Sequence, residues 1–355
     1  MKRIVSIVSL VLAIALVMSF VPFAPAMMAA GEVNVYNWED YIADEVLELF
    51  EKETGIRVNY MRFTTNEDML VQVMADPANY DVIFPSDYAI ERLIGQNMLE
   101  ELDYSLLPNA ANTLDWLQNP GYDANGAHSV PYMWGTVGVL YNASMVDGPV
   151  DSWAALFDES YKDNVFMMDS IRDTIGVALK CLGYSVNERS QEALDQARDL
   201  LIKQKKSGVV KAYQVDETKD KMIAGEAALA LMWSGDAAYA ISFNEDLKYV
   251  VPKEGSNIWV DGMCIPKGAR NIENAHKLID FLCRPDIAQI NFLEVMYCTP
   301  NAGAIELVEA DDAELLENDT LFPTRDIIDR CEFFSDIAQE KAKFDAVWRA
   351  VKTAR

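Results

Sequence analysis

The sequence has few basic residues. Thirty lysines and arginines stand against 56 aspartates and glutamates, which gives a formal net charge of −26. A surface of this sign repels a phosphate backbone, so the balance argues against nucleic acid as a partner. A cationic ligand suits such a protein, although net charge alone does not identify the ligand.

Histidines and metal-type cysteine motifs are also scarce. His128 and His276 are the only histidines, and neither has neighbours typical of a metal ligand or a catalytic triad. The odd number of cysteines cannot all pair with one another, and no CxxC motif occurs among them: Cys181, Cys264, Cys283, Cys298 and Cys331. Two interpretations stay open, buried free thiols or up to two disulfides. We predict no bound metal and no cofactor.

Several common catalytic and nucleotide-binding motifs are absent. The sequence contains no GxxxxGK[ST], no GxGxxG after a strand, no GxSxG and no HExxH. P-loop, dinucleotide, esterase and zinc-peptidase sites therefore have no support.

The first 30 residues have the pattern of an export signal. Lys2 and Arg3 precede an apolar run from Ile4 to Val21, and Ala24-Pro25-Ala26 or Ala29-Ala30 offers a cleavage site. An uncleaved membrane anchor is the alternative, because 18 residues is the lower limit for a spanning helix. We predict a cleaved signal peptide over residues 1–30. The mature protein would then work in the periplasm or at the extracytoplasmic surface.

Strand and helix patterns alternate along the rest of the chain, which is long enough for about two domains. The pattern begins strand, helix, strand, helix, strand: Val33–Trp38, a helix ending at Gly55, Ile56–Phe63, a helix capped by Asn66, and Tyr80–Pro85. After an irregular stretch, the β-prone segment Ser129–Tyr141 introduces a second such set. This rhythm predicts an α/β protein with two lobes, each a sheet flanked by helices.

Aromatic residues lie beside polar or acidic ones where predicted strands end. The groups are Trp38 with Asp40 and Tyr41, Ser86 with Tyr88, Trp233 with Asp236, Trp259 with Asp261, and Tyr297 before Thr299-Pro300-Asn301. Ligands of open α/β sheets collect outside the carboxyl ends of the strands. Aromatic walls with carboxylates would attract a cation through cation–π contact and charged hydrogen bonds. Each group alone is weak support, but five at one edge indicate a cation site.

Six segments also carry a family resemblance. They are YNWEDY at 36–41, FEKETGIRV at 50–58, YDVIFPS at 80–86, VPYMWGT at 130–136, VPKEG at 251–255 and LCRPD at 282–286. In this order they resemble the bacterial spermidine/putrescine-binding proteins of ABC transporters, over nearly the whole mature chain. The resemblance implies a two-lobed periplasmic binding protein that is not an enzyme. Such a protein holds putrescine or spermidine in the cleft and delivers it to a membrane permease.

The resemblance also implies where the lobes divide. Lobe one would comprise residues 31–135 plus 262–304, and lobe two residues 136–261 plus 305–355. The chain would cross at Gly135, at Thr136 and near Asp261-Gly262, and the lobes would close by a hinge. We expect a monomer.

Site residues carry over where the local motif matches. The resemblance implies that these residues sandwich the alkyl chain of the ligand and hold its ammonium groups: Trp38, Asp40, Tyr41, Ser86, Tyr88, Asp173, Trp233, Asp236, Trp259, Asp261 and Tyr297. Ser170 stands where some spermidine binders have a second acid, and Phe334 where they have a polar amide. Asp236 stands where putrescine-selective relatives have an acid, although it could instead cap a helix that begins at Ala237. The choice between putrescine and spermidine therefore stays open.

Two other functions are compatible with parts of this pattern. Tyr41, Tyr88 and Tyr297 could bind ferric iron, but iron prefers clustered anionic oxygens and would leave the tryptophans without a role. Asp173 and Asp261 could form the carboxylate pair of a secreted glycosidase, because sugars also stack on tryptophan. Release of product from a glycan would separate that enzyme from a receptor.

Overall fold

The computed structural model describes residues 31–354, so the export signal predicted over residues 1–30 lies outside the described residues. All five cysteines fall within the described range and are free thiols, three of them buried. No helix in this range combines the length and apolar character that a membrane crossing requires.

Nine strands form one curled sheet in the described part of the chain. They are β1 Glu32–Trp38, β2 Arg57–Phe63, β3 Val82–Ile83, β4 Ser129–Asn142, β5 Val165–Met168, β6 Val210–Gln214, β7 Leu229–Trp233, β8 Leu247–Val250 and β9 Ile258–Cys264. Their order is β2-β1-β3-β9-β4-β7-β5-β6, and β8 pairs with β4 off this path. Strands β1, β2 and β3 are parallel, as are β5, β6 and β7, which is the arrangement that strand–helix alternation predicts.

The long strand β4 joins the two halves of the sheet. Its first part pairs antiparallel with β9 as far as Thr136 and Ile258, and from Val137 onward it pairs with β7 and β8. Gly135 lies opposite Trp259 in this pairing. Thirteen of the fourteen β4 residues are buried, as expected for a strand covered on both faces. The exact lobe boundaries given above stay a prediction.

Twelve α-helices flank the described sheet. They are α1 Asp44–Thr54, α2 Asn66–Ala75, α3 Asp87–Gly95, α4 Ile171–Cys181, α5 Gln191–Ser207, α6 Glu217–Ile223, α7 Ser234–Phe243, α8 Ile272–Leu282, α9 Pro285–Val295, α10 Ala302–Asp311, α11 Arg325–Ile328 and α12 Lys341–Thr353. Short 3₁₀ helices fill the irregular stretch before β4: Tyr104–Leu106, Pro108–Asn112, Asp115–Leu117 and Gly121–Asp123. The C-terminal helix α12 packs on α4 and α5.

Local signals fix most of these boundaries. Helix α1 ends at Gly55, whose φ of 69° lies in the left-handed region that glycine adopts readily. The prediction that Asn66 caps α2 was wrong: the Thr65 hydroxyl accepts the Asp68 amide instead. The Asn66 side chain is therefore free to exchange two hydrogen bonds with Ser86.

Candidate functional site

All eleven predicted site residues line one cavity of about 260 Å³. These residues come from both halves of the sheet, and some of them lie where strands end at the cavity wall. Trp38 is the last residue of β1, and Trp233 is the last residue of β7. Asp261 lies within β9, opposite Met133 of β4, and is held by backbone pairing on that side. Trp38 and Trp233 thus lie at strand ends as predicted. The prediction was wrong for two other groups, because Trp259 and Asp261 lie inside β9 and Tyr297 follows helix α9.

Aromatic rings form a connected wall of the cavity. The ring centroid of Tyr297 lies 5.3 Å from that of Trp259 and 5.3 Å from that of Tyr41. Trp38 is fixed by a 2.9 Å hydrogen bond from its Nε1 to the carbonyl of Phe84. Such rings present flat apolar faces and attract cations at those faces.

Two glycines make the close approach of these rings possible. A Cβ at Gly135 would lie 2.7 Å from the Trp259 indole, and a Cβ at Gly235 would lie 2.4 Å from ring carbons of Tyr297. Any larger residue would push the ring away, since contacts that short do not occur between carbon atoms. These two glycines are therefore needed to leave space for the aromatic rings, and not to form a turn.

Asp261 is the most enclosed of the predicted acidic site residues. Its side chain accepts a 2.5 Å hydrogen bond from the Ser86 hydroxyl, and the residue is only 4% exposed. Burial raises the pKa of Asp261 to about 7, although the Ser86 and Tyr41 hydroxyls act in the opposite direction. A cation that binds beside a buried carboxyl stabilises its ionised form and lowers its pKa again. A carboxyl with a raised pKa therefore interacts strongly with a bound cation.

Asp173 lies in the first turn of α4. Ser170 caps this helix by accepting the Asp173 amide and also donates its hydroxyl to the Asp173 carboxylate at 2.5 Å. Burial raises the pKa of Asp173 to about 6, while Ser170 and then Arg172 lower it. Ser170 thus orients the Asp173 carboxylate.

Asp236 lies in the first turn of α7 and does not cap it. The helix begins at Ser234 with Trp233 in the capping position, so the capping interpretation of Asp236 was wrong. Burial raises the pKa of Asp236, and the nearby Lys219 opposes that effect. Asp40, by contrast, has a side chain that is 77% exposed at the cavity edge, with a φ of 48°.

Arg172 is a buried cation that sequence reasoning missed. It donates to the carbonyl of Ser335 at 2.9 Å and to Asn187 Oδ1 at 3.3 Å. Its guanidinium lies 4.2 Å from the Phe334 ring centroid and 5.2 Å from that of Tyr88. Burial lowers the pKa of Arg172, and the surrounding acids oppose this.

Other residues on the wall were missed as well. Asp87 is fully buried, and burial raises its pKa well above the ordinary range. Glu67 accepts a 3.2 Å hydrogen bond from the Tyr88 hydroxyl. Asp216 and Lys219 follow strand β6, so the rule that strand ends line the site could have indicated them.

The cavity is strongly acidic in sum. Nine carboxylates line it: Glu39, Asp40, Glu67, Asp87, Asp169, Asp173, Asp216, Asp236 and Asp261. The bases on its wall are Arg172 and Lys219. Among residues 31–354, no three His, Cys, Asp or Glu side chains have the arrangement of a metal site. The chemistry of the wall thus suits an organic cation.

Comparison with known proteins agrees with this geometry. Residues 45–324 match the family model described as bacterial extracellular solute-binding protein. The chain belongs to this family. Its members are binding proteins of transport systems rather than enzymes, so the non-enzymatic prediction is confirmed.

Three relatives are similar over nearly their whole length. The spermidine/putrescine-binding periplasmic protein of Salmonella typhimurium is 33% identical, over 90% of this chain and 91% of that protein. The putrescine-binding periplasmic protein SpuD of Pseudomonas aeruginosa is 32% identical, over 91% of this chain and 92% of that protein. The solved structure of the spermidine/putrescine ABC transporter substrate-binding protein PotD from Streptococcus pneumoniae has a TM-score of 0.79. It is 34% identical and covers 92% of this chain and 99% of that one.

These comparisons confirm the family resemblance and the two-lobed α/β fold of periplasmic binding proteins. They give no support to the iron-binding or glycosidase alternatives. The role of each residue on the cavity wall stays a prediction.

Proposed function

We propose that this protein is the extracytoplasmic substrate-binding component of an ABC transporter, and that it captures the linear polyamines putrescine and spermidine. One observation carries the proposal: a single cavity combines a connected aromatic wall with nine carboxylates and two bases. A linear polyamine has the complementary chemistry, an apolar chain between ammonium groups.

The aromatic wall would hold the alkyl chain. Burying the four methylenes of a diamine contributes about 3 kcal/mol, at roughly 0.8 kcal/mol per CH₂. Trp259 and Tyr297 lie close enough to contact one chain together, because their ring centroids are 5.3 Å apart. The faces of the rings also attract the adjacent ammonium groups.

The carboxylates would hold the charged ends of the ligand. An ammonium group leaves water at a large cost unless charged partners replace its hydration. Asp261 and Asp173 are buried, each supported by a serine hydroxyl, and burial raises the pKa of both. An uncharged ligand would leave these acids unpaired, which favours cations over sugars.

Delivery to a membrane permease is supported by the family rather than by the cavity. Relatives that align over about nine-tenths of their length are named as periplasmic polyamine-binding proteins and as an ABC transporter component. Together with the signal peptide predicted over residues 1–30, this supports a location outside the cytoplasmic membrane and a permease as partner.

Isothermal titration calorimetry tests the ligand class. Putrescine and spermidine should each bind saturably with a stoichiometry of about one, because one cavity holds the ligand. Lysine, acetate and maltose serve as controls, since lysine carries a carboxylate beside its α-ammonium, acetate is an anion and maltose is uncharged. Saturable binding of maltose without binding of either polyamine would contradict the proposal.

A further inference from the structure

A lysine of the protein lies among the carboxylates at one end of the cavity. Lys219 Nζ is 3.5 Å from Asp236 Oδ1 and 3.9 Å from Asp40 Oδ2. The same nitrogen lies 5.2 Å from the ring centroid of Tyr239. The ammonium therefore has the surroundings, acids and an aromatic face, that the site would offer to a ligand cation.

This position is unfavourable for a lysine in two respects. The Lys219 side chain is only 17% exposed, and lysines are seldom so enclosed unless they are paired. Lys219 is also the third residue of α6, where the helix dipole disfavours a positive charge. The acids across the cavity, rather than its own helix, hold the ammonium in place.

The acids around Lys219 keep it charged. Burial alone would lower the pKa of Lys219, but Asp236, Asp40 and Asp216 outweigh burial and raise it above the ordinary value. The distances of 3.5 and 3.9 Å are longer than a normal charged hydrogen bond. The pairing is thus electrostatic and loose, and it leaves room for an additional group.

Asp261 and Asp173, the other buried acids predicted for the site, have different partners. Asp261 and Asp173 are tied to serine hydroxyls, and the Arg172 guanidinium is taken up by Ser335 and Asn187. The Tyr297 ring lies against Gly235, which precedes Asp236, and its centroid is 5.3 Å from that of Trp259. Among the described residues, Asp261 and Asp173 thus have no lysine partner, whereas Asp236 and Asp40 already pair with Lys219.

We infer that Lys219 is a specificity-determining residue, whose ammonium occupies the Asp40–Asp236 end and favours a diamine over a triamine. The inference rests on the proposed function, because it concerns which polyamine the same site prefers. A diamine needs acids for two ammonium groups, which Asp261, Asp173 and a shared Asp236 can supply. A triamine brings a third charge, and that charge would lie beside the Lys219 ammonium and be repelled by it.

Substitution of Lys219 by methionine tests this inference. Lys219→Met keeps an unbranched side chain and removes the charge, so Asp40, Asp216 and Asp236 become available to the third ammonium. We expect the ratio of spermidine affinity to putrescine affinity, measured by titration calorimetry, to rise at least fivefold over the wild type. Lys219→Arg keeps a cation and should keep the wild-type ratio.

Lys221→Met is the matched control on the same helix. The Lys221 ammonium donates to Gln214 Oε1 and does not line the cavity, so the ratio should stay as in the wild type.

A ratio that rises less than fivefold in Lys219→Met, or that falls, would overturn the inference. Should circular dichroism show that Lys219→Met is unfolded, Lys219→Gln takes its place with the same criterion. A wild-type protein that binds neither polyamine contradicts the proposed function itself, which is a distinguishable result.

Discussion

Asp261 is the residue on which ligand affinity should depend most. It is buried, held by Ser86 and fixed by the β4–β9 pairing, so it would meet the ligand from a rigid position. We expect Asp261→Asn to weaken putrescine binding by about 2–5 kcal/mol, the usual loss when one partner of a buried charge pair is removed. Calorimetry on this variant and on the exposed control Asp147→Asn measures the effect. Affinity within a factor of two of the wild type would contradict the assignment.

Ligand affinity should also depend on pH. The pKa of Asp261 is raised to about 7 and that of Asp173 to about 6, whereas a polyamine stays protonated throughout this range. Putrescine binds the ionised carboxyls, so we expect at least about tenfold weaker binding at pH 5 than at pH 8. A dissociation constant that is the same at both values would show that neither acid holds the ligand.

The same raised pKa values predict how the unliganded protein responds to pH. An unfolded aspartate titrates near 3.9, so between about pH 4 and pH 7 the folded state binds more protons at Asp261 than the unfolded chain does. Folded stability contributed by this group therefore decreases as pH rises through that window. Thermal unfolding without ligand should show a smaller decrease over this window in Asp261→Asn than in the wild type. Equal pH dependence in both proteins would argue against the raised pKa.

Single residues were predictable where chemistry and position coincide. Aromatic–acid groups at strand ends indicated the cavity wall, and the family resemblance added Asp173. Lys219 and Arg172 were not predicted as site residues, because a basic side chain is not expected in a site that binds a cation. Their positions depend on which acids the fold brings opposite them, and a linear sequence does not give that.

At the scale of secondary-structure elements, the start of α7 positions the aromatic wall. Gly235 has no side chain, so the Tyr297 ring lies directly against its backbone. We expect Gly235→Ala to displace the ring and to weaken putrescine binding roughly tenfold, with a loss of stability of about 1–3 kcal/mol from overpacking. Calorimetry and thermal unfolding measure both effects.

Gly95→Ala provides the control for that substitution. Gly95 is also helical, but a Cβ there would meet nothing within 4 Å. The Gly95→Ala variant should bind putrescine with the affinity of the wild type. If Gly235→Ala also bound like the wild type, the close approach of Tyr297 would not matter for the site.

The sequence predicted most elements but not how they connect. The β-prone segment predicted over Ser129–Tyr141 forms β4 and adds only Asn142, because a long run of apolar and aromatic residues is a clear signal. The segment predicted as strand Tyr80–Pro85 has only Val82 and Ile83 in ladder pairing. The passage of β4 from β9 to β7 depends on long-range pairing, which local patterns do not encode.

At the scale of the whole molecule, we propose that ligand closes the two lobes around the cavity. Contacts already bridge the predicted lobes: Arg92 of α3 pairs with Asp336 at 2.7 Å, and the Asp336 amide donates to Glu91. Small-angle scattering should give a smaller radius of gyration with putrescine than without it. Arg92→Ala removes one closing contact and should bind more weakly. An unchanged scattering profile at saturation would indicate a rigid, preformed site.

We propose that this one cavity holds a linear polyamine between its aromatic rings and acids. A crystal structure of the protein grown with putrescine tests it most directly. We predict that the diamine lies against Trp259 and Tyr297, with one ammonium within hydrogen-bond distance of Asp261 and the other toward Asp236. A saturated crystal in which putrescine lies elsewhere, or in which neither ammonium contacts a carboxylate of the cavity, would contradict the account.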